Sequence, residues 1–395
     1  FASEGLDRHR PGGAAWAVPT LRPDPIAVDE SVLTDLRDRL DRARLPNQVD
    51  GIGWDQGTEL GWLREVIAYW RDDFDWRAVE AELNGWGPAA TEVDGQRIHL
   101  LHAASPHPGA LPLLLSHGWP GSVVEFLDVL RPLTHPDDPA DAFTVVAPSL
   151  PGYGFSGPTS TPGWSPRRIA AAFAEVMAGL GYERYGVQGG DWGSIVSQNV
   201  ADLVPERVAG LHLNFVNVPR PSGERTAELA PDEQASIERM RAWNEHEAGY
   251  SAIQRTRPQT VGYGLEDSPV GLAAWMLEKF RAWSDGDGDP RSTFSIDRLL
   301  ANVTVYWVTA TATSSARLYW EMARAGRDAV PRGYVAVPTG VANFPGEITR
   351  LPRHWVEHRY NVTHWTEPAR GGHFAALQVP DLFVDDVRAF FRTVR

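Results

Sequence analysis

The chain contains no cysteine. Disulfides and thiolate chemistry are therefore excluded, while the compartment stays open. It contains one lysine, Lys279, among 37 basic residues. Together with abundant Arg, Ala, Gly and Pro, that scarcity points to a GC-rich, bacterial coding genome and says nothing direct about catalysis. There is no long basic run, and the net charge is -14, which argues against nucleic-acid binding. No apolar run reaches about 18 residues, so no transmembrane helix is expected. The first residues lack the basic-then-apolar build of a signal peptide. The chain opens on Phe1 rather than Met, so its native start is left open.

Core material is plentiful. A chain of 395 residues, 43% hydrophobic and holding 16 Trp, fills two or three domains, or one α/β core with a large insertion. The stretch that says most is Gly189-Gly190-Asp191-Trp192-Gly193. It has the small-x-nucleophile-x-small spacing of a nucleophile elbow, with a carboxylate where an esterase keeps its serine. The spacing has a steric cause, because the central residue sits on a strained strand-to-helix turn that only small neighbours fit. The chemistry also narrows. A serine attacking an sp3 carbon leaves an inert ether, whereas an aspartate leaves an ester that activated water cleaves. Asp191 thus points to substitution at an alkyl carbon, in an epoxide or a haloalkane. Taken alone, an aspartate there is equally well a helix N-cap.

Along the chain, residues 1 to about 25 read as an extended arm that could cross its own core or a neighbour's, so oligomerisation is left open. Asp29 or Ser31 could cap a first helix, whose face carries Leu33, Leu36, Leu40 and Ala43. Leu60, Leu63, Val66, Ile67 and Trp70 mark a second helix, and Trp76, Val79 and Leu83 a third. Strands are then expected at 98–102, 111–115, 143–147, 185–188 and 208–215, with helices at 123–130, 169–180 and 194–203. Residues 217 to about 330 are helical in tendency. Strands return at 334–337 and 361–366 before a last helix at 382–391. This alternation predicts an α/β fold, a mostly parallel sheet with helices on both faces. The expected division is a helical N-terminal extension (1–88), a first part of the core (89–216), an inserted helical lid (217–330) and a second part of the core (331–395).

A nucleophilic Asp191 needs a base, and His373 in Arg370-Gly371-Gly372-His373-Phe374 lies where the order nucleophile, acid, histidine puts it. The acid falls between them. Glu347 fits that order, by spacing alone no better than a solvated loop carboxylate, with Asp297 and Asp381 as weaker competitors. Oxyanion donors are expected from the Trp192 amide and from His117-Gly118-Trp119-Pro120-Gly121, where the Trp119 amide serves because Pro120 has none. A cis Trp119–Pro120 bond would aim that amide, and His117 reads as structural. An epoxide oxygen also needs an acid, and four lid phenols qualify at neutral pH: Tyr250, Tyr263, Tyr306 and Tyr319.

Together these residues resemble the microsomal-type epoxide hydrolases of the α/β-hydrolase fold, from about residue 29 to the C-terminus. The motifs that carry the resemblance are His117-Gly118-Trp119-Pro120-Gly121, Gly189-Gly190-Asp191-Trp192-Gly193-Ser194, Asp267-Ser268-Pro269-Val270-Gly271-Leu272-Ala273-Ala274, Phe344-Pro345-Gly346-Glu347 and Arg370-Gly371-Gly372-His373-Phe374-Ala375-Ala376. The resemblance implies Asp191 as nucleophile, His373 as base, Glu347 as its acid partner, and Tyr250 with Tyr319 as the pair that protonates the epoxide oxygen. It implies a small apolar epoxide and water as partners, with no cofactor and no metal. Membrane-bound relatives carry an N-terminal anchor helix that this sequence lacks, so a soluble, cytoplasmic protein is expected. Two rivals stand beside this reading. One is a haloalkane dehalogenase, which shares Trp192 but usually carries Asn or Gln at the place of Trp119. The other is a non-catalytic binding protein on the same fold.

Overall fold

The computed structural model describes residues 19–223 and 229–395. Most of the expected arm thus lies outside the described residues. Its end, β1 (Arg22–Pro23), pairs antiparallel with β2 (Pro88–Val93). The three expected N-terminal helices form as α1 (Glu30–Asp41), α2 (Leu60–Asp72) and α3 (Trp76–Asn84). Asp29, not Ser31, caps α1 and accepts from the Ser31 N–H. Their apolar stripes are buried, with Leu33, Leu36, Leu40, Val66, Trp70 and Leu83 among the core residues.

The sheet comprises β1, β2, β3 (Gln96–Ala103), β4 (Leu111–Ser116), β5 (Phe143–Pro148), β6 (Tyr185–Gly189), β7 (Val208–Leu213), β8 (Val335–Ala342) and β9 (Tyr360–Thr366). Its order is β1-β2-β3-β5-β4-β6-β7-β8-β9. From β4 to β9 every pairing is parallel, whereas β1, β2 and β3 join antiparallel. β2 lies outside the strands read from sequence. Its Pro-Ala-Ala-Thr-Glu-Val run is too small-sided to stand out, and it is held by a hairpin at Asp94-Gly95, both at positive φ. That dipeptide is a strong hairpin signal.

Strand residues alternate between two cores. Leu114 and Val146 face one side, and Leu113, Leu115, Val145 and Ala147 the other. Helices α4 (Leu127–Thr134) and α15 (Pro380–Phe391) cover the second face. Helices α5 (Pro166–Gly179) and α6 (Asp191–Leu203) cover the first. The helix expected at 123–130 is a turn of 3-10 helix (Val123–Phe126) leading into α4. Between β7 and β8 stand α7 (Pro231–His246), α8 (Gly249–Thr256), α9 (Pro258–Asp267), α10 (Pro269–Ala282), α11 (Ile296–Val308) and α12 (Ala312–Ala325). Two short helices, α13 (Arg353–Glu357) and α14 (Ala375–Gln378), complete the chain. The N-terminal helices brace this helical block. Trp70 Nε1 donates to Thr304 Oγ1 at 2.9 Å, Trp62 Nε1 to Asp289 at 3.0 Å, and Arg298 pairs with Glu82 at 2.6 Å. Among the described residues, no helix is long and apolar enough to cross a membrane.

The far edge of the sheet is tied by a buried carboxylate. Asp386 on α15 meets His212 of β7 at 3.5 Å, and His364 and Thr366 of β9 at 2.6 and 2.8 Å. Burial would raise its pKa, but these bonds hold it well below the carboxylate range. A depressed folded-state pKa contributes stability that is present above about pH 4 and lost as pH falls toward the folded value. Asp386→Ala is therefore expected to cost about 3 kcal/mol at pH 7, with a deficit that shrinks in acid. Urea unfolding of variant and parent at both pH values measures it, and equal midpoints at pH 7 would show that the cluster contributes nothing.

Candidate active site

The chain order of the sheet reverses between β4 and β6, since β5 lies on one side of β4 and β6 on the other. Crevices at the carboxyl ends of strands form at such switch points. Asp191 stands there, at the end of β6 and the first residue of α6. Its φ is +48°, a left-handed conformation that costs a non-glycine residue energy and is held by its surroundings. Gly193 makes the turn possible, since a Cβ there would run into the backbone carbonyl of Ser116.

The loop after β9 carries His373, and the loop after β8 carries Glu347. A bridge between Gly346 and Gly372, with Gly346 N–H donating to Gly371 O at 2.9 Å, draws the two loops together. Gly371 has φ +112°, open to glycine and strained for other residues. As a result His373 Nδ1 lies 2.7 Å from Glu347 Oε1, and its Nε2 lies 3.2 Å from Asp191 Oδ2. Glu347 Oε1 also accepts from the Ile348 N–H at 2.7 Å. Burial disfavours the imidazolium, but the two carboxylates outweigh it and push His373 up to about 10. The competitors for the acid are placed elsewhere. Asp297 accepts from Tyr69, and Asp381 pairs with Arg370.

The loop after β4 supplies the Trp119 N–H, which donates to Asp191 Oδ1 at 2.7 Å. The Trp119–Pro120 peptide is cis. Trp192 follows Asp191 directly in α6. His117 is structural: its Nε2 accepts from the Leu150 N–H at 3.1 Å and its Nδ1 donates to Gly118 O at 3.0 Å, while burial lowers its pKa to about 4. Helix α11 grips the same loop. Tyr306 OH donates to Gly121 O at 2.6 Å and Asn302 Nδ2 to Pro120 O at 2.7 Å.

Those bonds sort the four phenols. Tyr306 is committed beneath the loop, and Tyr263 is 72% exposed. Tyr250 and Tyr319 are buried and cluster above Asp191. Tyr250 stacks on Trp119 at 4.9 Å, and Tyr319 stands edge-on to Trp192 at 4.7 Å and to Tyr250 at 5.8 Å. Burial, reinforced by the Asp191 charge, pushes both phenols up, so they remain proton donors. Of the tryptophans between 217 and 330, Trp243 and Trp283 join this cluster. Trp275 bonds Gln254, Trp307 lies under Arg39 and Trp320 under Arg324. Two neighbours carry no catalytic signal in the sequence. Lys279 is buried with its ammonium 4.9 Å from the Tyr250 ring. Glu125, in the 3-10 turn, carries no motif that marks it.

Comparison with known proteins fits this geometry. Residues 21–126 match the family described as epoxide hydrolase N terminus, and residues 112–230 match the alpha/beta hydrolase fold. The chain is 37% identical to Epoxide hydrolase 1 of Sus scrofa over 403 residues, covering 94% of this chain and 88% of that one. The chain belongs to the epoxide hydrolase family. Solved epoxide hydrolases superpose closely. Juvenile hormone epoxide hydrolase from the silkworm Bombyx mori gives a TM-score of 0.88 at 30% identity, covering 95% of each chain. The Aspergillus niger epoxide hydrolase gives 0.85 at 31%, covering 96% of this chain and 98% of that one. The α/β-hydrolase fold expected from sequence is thus the fold of this epoxide hydrolase.

Proposed function

We propose that this epoxide hydrolase opens an apolar epoxide, aromatic and natural-product epoxides among the candidates, to a vicinal diol through an ester on Asp191. The phenols of Tyr250 and Tyr319 hold the epoxide oxygen. Asp191 attacks a ring carbon from the far side, the C–O bond breaks, and a phenol proton passes to the oxygen. Water then attacks the ester carbonyl and gives a proton to His373, which Glu347 orients. The oxyanion rests on the Trp119 and Trp192 amides. The ester C–O bond breaks, the His373 imidazolium returns its proton to the departing diol oxygen, and the second water proton, left on the Asp191 carboxyl group, restores the phenol. On this reading the described residues of 217–330 form a lid that brings the phenols over the core, 89–216 and 331–395, and the described helices of 1–88 buttress it.

The observation that carries the reading is the pairing of an Asp191 carboxylate bonded to the Trp119 amide with a ring cluster holding two protonated phenols. A halide leaves without needing an acid, whereas an epoxide oxygen leaves poorly unless protonated. The test is therefore product analysis with styrene oxide and 1-bromobutane, for the native protein and for a Tyr250→Phe/Tyr319→Phe variant. The native protein is expected to release phenylethanediol. The variant is expected to lose epoxide opening by about 10²- to 10⁴-fold. Bromide release with styrene oxide untouched, indifferent to both tyrosines, would replace the reading with a dehalogenase.

A further inference from the structure

A small cavity lies on the core side of the catalytic groups. Its lining includes Ser116, Glu125, Gln188, Asp191, Asn214 and His373. It offers about 20 Å³ to the centre of a water molecule, which is room for about one water. Two buried polar atoms of its lining, Ser116 Oγ and Gln188 Oε1, have no hydrogen-bond partner among the described residues, and His373 Nε2 has only its 3.2 Å ion pair with Asp191 Oδ2. The Gln188 amide is fixed in that sense by Asn214, since Gln188 Nε2 donates to Asn214 Oδ1 at 2.7 Å. Buried polar atoms without protein partners are satisfied by ordered water when the space admits it.

Glu125 is the acidic member of this lining that the two-step reading leaves without a role. It stands in the turn Val123–Phe126, just after the loop that presents Trp119. Its carboxyl group presses against the backbone of Gly121, where a Cβ would overlap it, so the loop accommodates a long side chain reaching back from four residues on. Burial and the Asp191 charge both oppose its ionisation, against the pull of His373, and its pKa is pushed up to about 8. At neutral pH it is a neutral carboxylic acid, offering a carbonyl acceptor and a hydroxyl donor.

We propose that Glu125 holds the hydrolytic water in this cavity, accepting a hydrogen bond from one water proton through its carbonyl oxygen while His373 Nε2 takes the other. The inference rests on the ester reading above. In the step, the water oxygen bonds to the ester carbonyl carbon and the carbonyl electron pair moves to the oxyanion. The transferred proton goes to His373, and the proton held by Glu125 stays on the oxygen that becomes part of the Asp191 carboxyl group. Glu125 therefore acts in the second step alone, and its neutral form suffices.

The test separates the steps with styrene oxide in single turnover, following ester formation by intact mass and its decay by diol release. In Glu125→Ala, ester formation is expected to stay within about threefold of the parent while ester hydrolysis falls about 10- to 100-fold, the cost of one lost hydrogen bond to the reacting water. Retained ester formation also shows that the variant folds. Glu125→Gln, a neutral near-isostere with the same carbonyl acceptor, is expected to restore hydrolysis to within about threefold. Unchanged hydrolysis in Glu125→Ala would overturn the proposal. A parallel fall of both steps would also overturn it, since it would show that Glu125 supports the site as a whole rather than the hydrolytic water. Failure of Glu125→Gln would do the same, by requiring a charge. Absence of any adduct on Asp191, with His373→Gln as the trapping control, would instead strike the ester reading itself.

Discussion

His373→Gln is expected to leave the protein able to alkylate itself and unable to turn over. With styrene oxide the variant should gain the mass of one whole epoxide, localised to the peptide holding Asp191, and keep it for hours. The argument starts from what the imidazole does in each step. On the proposed reading, epoxide opening uses the Asp191 carboxylate and a phenol, and neither needs His373 as a base. Ester hydrolysis needs a base beside the water, and general-base loss costs about 10²- to 10⁴-fold. The electrostatics also time the step. In the free protein the buried ring sits between Glu347 and Asp191 and is pushed up to about 10, so it is protonated at pH 7. Ester formation converts Asp191 to a neutral group and removes one of the two charges that hold the proton. The pKa of His373 then falls, and the base becomes available when it is needed. In the parent protein, decay of a preformed ester should therefore rise with pH to a plateau, with a midpoint below about 10. Rapid diol release by His373→Gln, or a decay rate that falls with pH, would remove His373 from the base role.

Much of the site could be read from the chain because its parts are local. The elbow, the His-Gly-Trp-Pro-Gly loop and the Gly-Gly-His loop each bind their chemistry to glycines whose spacing shows in one dimension. The Glu347–His373 contact was only half legible. Order along the chain permits it, but the contact depends on a bridge between Gly346 and Gly372 that no periodicity reports. The phenols were less legible still, since the ring cluster forms only when α8 and α12 pack over the core. What separates Tyr250 and Tyr319 from Tyr306 is a hydrogen bond to Gly121 O, and from Tyr263 it is exposure. Strands with bulky alternating residues were legible to within a few positions. β2 is hard to see in the sequence because its side chains are small, and its signal is the Asp94-Gly95 hairpin that pairs it with β3. Lys279 and Glu125 belong to no pattern at all. Each matters through what it faces across the fold, and one-dimensional spacing carries no record of that.

Asp191→Ala is expected to abolish both steps at once. Without the carboxylate no ester forms, so no adduct mass should appear with any epoxide, even combined with His373→Gln. Turnover should fall by at least about 10⁴-fold, as when a nucleophile that works as a unit with its base is removed. A competing mechanism keeps His373 as base and lets water strike the epoxide directly. It predicts a smaller loss, because the base, its Glu347 partner and the phenols all survive the substitution. Oxygen bookkeeping divides the two in the parent protein. If Asp191 attacks the epoxide, the new diol oxygen comes from the carboxylate and the water oxygen ends in Asp191. A single turnover in ¹⁸O-water should then leave the diol unlabelled and add 2 Da to the peptide that contains Asp191. Direct attack would label the diol and leave the peptide unchanged. On the proposed ester reading the Trp119 amide, 2.7 Å from Asp191 Oδ1, has a part in the second step. A donor there stabilises charge building on the carboxyl group of Asp191, which happens when water attacks an ester at that position and has no part in a direct attack on the epoxide.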